Sequence, residues 1–558
     1  MKRKILAVAV ATVLTAGMGA AFALTAGTDN QANQPQVQGD ATSNTTAKFP
    51  TNKQNEPTIA LNPTDSAYLI AGSNDEQRQP PCGSGPVRGT TLASDCSFFP
   101  GIGTSGIYTS SDAGVTWVNR GLLDDQPAWK TSGILSDGDP VIAYGPKPAV
   151  GGGFTWDNGA RAYYSTLASI DTAKGTEYIA VSISDDNGAT WAAPVIATTK
   201  TSSSDFNDKN WITVDTNALS PYFGRVYLSW TEFRSSTQRG NGSEPVMVAS
   251  SSDGGTTFGS PNQLSPAGNN GTGNGRQGSS VTTGPDGSVY VAFEQGSSQV
   301  VAISRNGGKS FTRAITVGPV TDIADPIPGA NFRTNSFPTV SADPQTGSSS
   351  VYVAWSTRTA SGGRIQVATS TDRGATWGAP AQVSSIEGYA FSQGLDVTES
   401  GKVVVAYQVQ NAVDVTKFGT GNAKIDVYAV SKPSTVGGIW SAPVKLNTAS
   451  SDPAVSAQNN LQRQFWGDYN TLVATDAWAW FISTDSRTGV GCAQVDAYQK
   501  YLKDNGLVIQ SDMADRLSRR ETGVNPALSD PSSVKPAPLA VCGSQFGNTD
   551  PYVSKFTP

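Results

Sequence analysis

The chain has 558 residues, with 39 Lys and Arg against 45 Asp and Glu, a formal charge of −6, and no histidine at all. The missing imidazole excludes Ser-His-Asp and Cys-His nucleophile systems and every His-ligated zinc, copper or haem site. Acid–base chemistry must then come from Asp, Glu, Tyr, Lys or Arg, and the acidic balance argues against nucleic acid as a partner.

Residues 1–23 begin with MKRK, continue with the apolar run ILAVAVATVLTAGMGAAFA and end on the small-residue site Ala21-Phe22-Ala23, the pattern of a secretory signal peptide. Its removal takes away Lys2, Arg3 and Lys4 and deepens the charge from −6 to −9. No later run approaches the roughly 20 apolar residues that a membrane span requires. The expectation is a secreted, extracellular monomer without a membrane span. Residues 24–50 are rich in Gln, Asn, Thr and Ala, offer little apolar surface and read as a flexible leader. Four cysteines in an exported chain suggest two disulfides; of three allowed pairings, loop closure favours Cys82 with Cys96 and Cys492 with Cys542.

Repeats organise the rest. SSDAGVTW (110–117), SDDNGATW (184–191), SSDGGTTF (251–258), SRNGGKSF (304–311) and STDRGATW (370–377) are five copies of one motif, and each follows two short strand-like stretches. A first-strand signature recurs seven times, from EPTIALNP (56–63) to DYNTLVATD (468–476). Four-stranded units repeated in this way predict an all-β propeller of four-stranded antiparallel blades, seven preferred over six, spanning 51–488. The last blade is interrupted over 489–542 by a partly helical insertion, and 543–558 holds its closing strand, with Thr45 to Phe49 as the candidate fourth strand.

These motifs resemble the bacterial neuraminidase repeat, or Asp-box, propellers of sialidase-like fold. In each copy the aspartate (Asp112, Asp186, Asp253, Asp372) should accept backbone N–H groups two or three residues on while a glycine takes positive φ, a folding device rather than a catalytic one. The resemblance places ligand-facing residues at the entrances of the innermost strands. Charge and amide groups crowd there: Asn55, Glu56, Asp137, Asp139, Asp208, Lys209, Asn210, Arg276, Gln277, Arg333, Asn335, Gln393, Trp466 and Asp468. DYNTL looks like the family's Tyr-Ser-x-Leu stretch, which implies Tyr469 as nucleophile, assisted by Glu294, with Asp75 as acid/base. Arg78, Arg276, Arg333 and Arg463 are the candidate carboxylate clamps, and Asp139, Asp208, Trp466 and Asp468 the further substrate contacts. Each also has a structural reading: a core tyrosine, strand-end caps, an Asx turn, blade-to-blade ion pairs.

One departure bears on substrate. The family opens its first blade with Arg-Ile-Pro, whereas this chain has Asn55-Glu56-Pro57, and a carboxylate there repels an anionic sugar by about 1–4 kcal/mol at about 4 Å. The reading is a glycoside hydrolase acting on extracellular glycans, with a non-catalytic carbohydrate- or protein-binding propeller as the alternative. No cofactor is expected; structural calcium at SDGDP (136–140) stays open, although no 12-residue calcium loop is present.

Overall fold

A computed structural model describes residues 24–34, 54–78, 103–170, 178–198, 205–234, 243–266, 276–413, 421–433, 438–456, 464–493, 496–497, 500 and 546–558. Its strands form seven four-stranded antiparallel sheets. The innermost strands, in blade order, are Gln54–Leu61, Ile134–Pro148, Phe206–Val214, Arg276–Thr283, Thr339–Ala342, Tyr389–Val397 and Thr471–Ala474. Within a blade each strand pairs with the next along the chain, so the fifth runs from Thr339–Ala342 through Val351–Thr359 and Gly362–Ser370 to Ala381–Gln382. The architecture is the seven-bladed, all-β propeller expected from the repeats.

Ring closure differs from the expectation. The last blade consists of Thr471–Ala474, Ala479–Asp485, Asp550–Thr557 and, as its outer strand, Thr25–Gln31, which pairs with Asp550–Thr557 from Thr25↔Thr557 to Gln31↔Tyr552. The start of the supposed leader is thus a structural strand, and Thr45 to Phe49 lie outside the described residues. An outer strand is exposed on most of its surface, so it carries no apolar alternation to reveal it. Among the described residues no helix is long and apolar enough to cross a membrane.

The blades are held by two devices. Apolar side chains from neighbouring sheets interdigitate, as where Tyr163 and Val181 of the second blade meet Leu228 and Trp230 of the third. The Asp-box turns supply the other. Asp112 Oδ1 accepts from the Thr116 amide at 2.8 Å and from the Ser110 hydroxyl at 2.8 Å, while the Gly114 amide donates to Ser110 Oγ at 2.9 Å. The carboxylate accepts from the amide four residues on in addition to the one three residues on that the sequence leads one to expect. Both Ala113 (φ 58°) and Gly114 (φ 81°) are left-handed, and the turn docks on the last blade, where Trp480 Nε1 donates to the Ala113 carbonyl at 2.9 Å. Asp186, Asp253 and Asp372 repeat the arrangement with Thr190, Thr257 and Thr376. Hydrogen bonds from Thr376 and Ser370 hold the Asp372 carboxyl down at about 2.

Innermost strands leave one edge facing the axis, and buried amides there need partners. The neighbouring blade supplies them. Ile59 N donates to Thr471 Oγ1 (2.8 Å), Ile142 N to Thr58 Oγ1 (3.2 Å), Val340 N to Ser280 Oγ (3.3 Å) and Ala474 N to Asp396 Oδ2 (2.8 Å). Thr471→Val keeps the shape but removes the cap on Ile59, and is expected to cost about 1–3 kcal/mol. Thermal unfolding should show a midpoint lowered by a few degrees, and an unchanged midpoint would mean that the cap contributes nothing.

Candidate functional site

At their entrance ends the inner strands share a distortion. The pairing register shifts between Asn55 and Thr58, Gly138 and Val141, Asp208 and Trp211, Gln277 and Ser280, and Phe391 and Gly394. Inside each shift one residue is left-handed: Glu56 (φ 52°), Asp139 (φ 51°), Lys209 (φ 53°), Gly278 (φ 69°) and Ser392 (φ 48°). Bulges of this kind re-aim side chains, and a non-glycine residue held there costs about 1–2 kcal/mol. Three successive blades therefore bear that strain with a charged residue in the strained position.

Those three side chains meet. Glu56 Oε1 accepts from the Asp468 amide at 3.0 Å and Oε2 from Asn74 Nδ2 at 2.9 Å. Asn74 Oδ1 accepts from the Asp139 amide at 2.7 Å, and Asp139 Oδ2 from the Lys209 amide at 3.1 Å. Arg333 grips Asp468 with two bonds, Nε to Oδ1 at 2.8 Å and Nη2 to Oδ2 at 2.6 Å, and lies 3.8 Å from Glu56. Asn335 Nδ2 adds a bond to Asp468 Oδ1 at 2.7 Å. Lys209 Nζ stands 3.9 Å over the Tyr469 ring and 4.5 Å over the Trp211 ring. Gly467 permits the contact, because a Cβ there would lie 2.7 Å from the Glu56 amide nitrogen.

Burial dominates the electrostatics. Glu56 is 2% exposed; desolvation, then the charges of Asp139 and Asp468, raise its pKa well above the usual glutamate value, against the pull of Arg333. Burial draws the Lys209 ammonium down to about 8, opposed by Asp139, Glu56 and Asp468. Two cationic side chains, Lys209 and Arg333, thus stand among three acidic ones, Glu56, Asp139 and Asp468, and burial biases Glu56 toward holding its proton.

Of the other expected site residues, Tyr469 and Asp208 adjoin this group and the rest fall into separate neighbourhoods. The buried Tyr469 phenol donates to the Pro140 carbonyl at 2.9 Å, and burial followed by the charges of Asp139 and Glu56 pushes its pKa well up. Tyr469 thus joins the apolar seam between blades two and three. Glu294 belongs to another seam, beside Asp322 and Gln299. Among the described residues Tyr469 and Glu294 share no partner. Asp75 lies inside the first blade, accepting from Tyr108 (2.6 Å), Gln54 (2.8 Å) and both nitrogens of Gln77. Arg78 turns outward to Asp125 at 2.7 Å. Asp208 is buried and accepts from the Lys209 amide at 2.9 Å. Trp466 is buried against Phe332, donating to Gln408 at 2.8 Å.

Arg276 lies on the fourth inner strand. Arg463, Cys82, Cys96 and Cys542 lie outside the described residues; Cys492 is buried, and no described cysteine is free. Among the described residues no group of three or more His, Cys, Asp or Glu side chains converges as a metal site.

Glu56, Lys209 and Asn335 stand among the entrance residues that the sequence picks out, but their partnership does not follow from it. The signal was the shared position of Glu56-Pro57, Asp139-Pro140 and Lys209-Asn210 in successive units. Asn74, at the end of a second strand, had no such signal.

Comparison with known proteins agrees with this architecture. The sequence profile of the BNR repeat-like domain matches residues 168–477, more than half of the chain. The chain belongs to the BNR repeat-like family. No curated protein matches the BNR propeller in sequence. Similar solved structures include a protein of unknown function from Dyadobacter fermentans (11% identity, 62% of this chain and 89% of that one, TM-score 0.36). Others are an alpha-L-arabinofuranosidase of Fusarium graminearum (13%, 64% and 89%, 0.39) and a sialidase of Streptococcus pneumoniae (12%, 81% and 67%, 0.35). At this distance no residue role transfers from them.

Glu294 carries a testable pH dependence. Burial and the adjacent Asp322 raise it from the usual 4.5 to about 8. The folded state therefore binds the proton more tightly than the unfolded one. Its contribution to stability is fully present below the unfolded pKa and is lost as pH rises towards about 8, at up to about 1.4 kcal/mol per pH unit. Glu294→Gln keeps a neutral side chain at every pH. Denaturant titrations should find it similar to wild type near about pH 5 and more stable above about pH 8; parallel pH profiles would refute the assignment.

Proposed function

We infer that this BNR propeller is a secreted glycoside hydrolase acting on extracellular glycans at the entrance end of its axis, with uncharged sugars as its substrate class. The observation that carries this reading is the Glu56 and Asp139 pair: two acidic side chains in contact, on strained left-handed backbone, one raised in pKa by burial and by its partner. Strain and perturbed titration concentrate at working sites. In this reading Glu56 gives its proton to the leaving glycosidic oxygen as that C–O bond breaks, solvent water adds to the anomeric carbon and its proton restores Glu56, while Lys209 and the Asn74 amide steady the transient carboxylate.

The substrate preference follows from the cations. Arg333 is committed to Asp468 by two bonds and Arg78 to Asp125, so neither serves an anionic sugar, and Glu56 stands where the family carries an arginine. Tyr469 is assigned here to packing rather than nucleophilic attack, because its hydroxyl is spent on Pro140. A signal peptide over residues 1–23, a monomeric chain and a Cys492–Cys542 bridge under the insertion complete the reading. The alternative, a non-catalytic glycan-binding propeller, draws support from the satisfaction of the charged group by its own members.

A release assay over chromogenic neutral glycosides and sialosides separates these readings. Turnover of a neutral glycoside, reduced about 100-fold or more in Glu56→Gln and falling as pH rises through the Glu56 pKa, is expected. Sialoside turnover would contradict the substrate class. Saccharide binding without turnover of any substrate would establish the non-catalytic alternative.

A further inference from the structure

The side chain of Lys209 ends without a polar partner. Its backbone amide donates to Asp139 and Asp208, but among the described residues Nζ makes no hydrogen bond or ion pair and stands instead over the ring faces of Tyr469 and Trp211, at 3.9 and 4.5 Å. The residue is 4% exposed and sits on left-handed backbone at φ 53°. An ammonium in water is ringed by acceptors, and two aromatic faces return only part of that solvation. Burial accordingly favours the free amine and brings the ammonium down to about 8.

A desolvated lysine is the setting in which this side chain acts as a nucleophile towards carbonyl compounds. The acids around it decide which electrophile fits. Asp139, Glu56 and Asp468 all favour positive charge at Nζ. A protonated imine keeps that charge, whereas acylation would erase it and carbamate formation would reverse it, leaving the carboxylates without a counter-charge. The same acids repel an electrophile that carries negative charge of its own. An uncharged aldehyde meets both conditions.

We propose that Lys209 is a covalent capture site for an uncharged hydroxyaldehyde, the reactive form of an open-chain aldose, which it holds as a protonated imine. The amine lone pair forms the C–N bond as the carbonyl π bond opens, and a proton passes from nitrogen to oxygen to give the carbinolamine. Its hydroxyl then leaves as water with the proton of Glu56, whose carboxyl is tied to Lys209 through Asp139. The products are the protonated imine, one water and a Glu56 carboxylate. Addition of water to the imine reverses the sequence and releases the aldehyde. This capture goes beyond the hydrolase reading and requires no glycosidic cleavage.

The test treats the full chain with glycolaldehyde and cyanoborohydride, which reduces the imine to a stable hydroxyethyl amine. Peptide mass spectrometry then compares Lys209 with the exposed Lys309. Near about pH 7 Lys209 should be labelled about tenfold or more faster than Lys309, because far more of it is free amine. Glyoxylate, an aldehyde that carries a carboxylate, should lower that preference about tenfold or more. Unfolding in urea should abolish it. The proposal is overturned if Lys209 is labelled no faster than Lys309, if glyoxylate gives the same preference as glycolaldehyde, or if the preference survives in urea. Each of these results is read by mass, so none of them bears on the release of neutral glycosides.

Discussion

Seven strand edges meeting around one axis impose the constraint on which the rest of the structure depends. An inner strand pairs on one side only, and its free side must be satisfied within a narrow space that the other six also occupy. The BNR propeller solves this across blades: Thr58, Ser280, Asp396 and Thr471 each reach sideways to cap a neighbouring inner strand. The blades become interdependent through these bonds as well as through apolar packing.

The two ends of the axis then differ in kind. At the entrance the inner strands bulge, and the left-handed residue in each bulge carries a charged side chain in three successive blades. Five ionisable residues from five blades converge, and burial raises the pKa of Glu56 well above the usual glutamate value. At the exit the strands run regularly, the amides are capped, and the lining is left with acceptors and carboxylates. Backbone regularity therefore separates a strained entrance crowded with groups of both charges from a smooth exit lined by carboxylates.

Legibility in the sequence followed the range of the interactions involved. An Asp-box is a local device, closed within eight residues by Asp112, Thr116 and Ser110, so its copies revealed the blades directly. Thr25–Gln31 reads as leader in sequence because its partner lies at Asp550–Thr557 and an exposed outer strand has a polar composition. At the site, the crowding of charge at the entrances was visible, but its pairing was not. Whether Arg333 reaches a ligand or Asp468, and whether the Tyr469 hydroxyl faces a substrate or Pro140, depends on how separate blades are rotated about the axis. No local pattern encodes that rotation.

The central claim is that folding raises the pKa of one axial carboxyl, Glu56, well above that of an ordinary glutamate. The most direct measurement is the infrared difference spectrum between wild type and Glu56→Gln near about pH 7, with both proteins verified as folded. The account predicts that the difference contains the C=O band of a protonated carboxyl, which bleaches as pH rises. A difference containing only ionised carboxylate bands would contradict it.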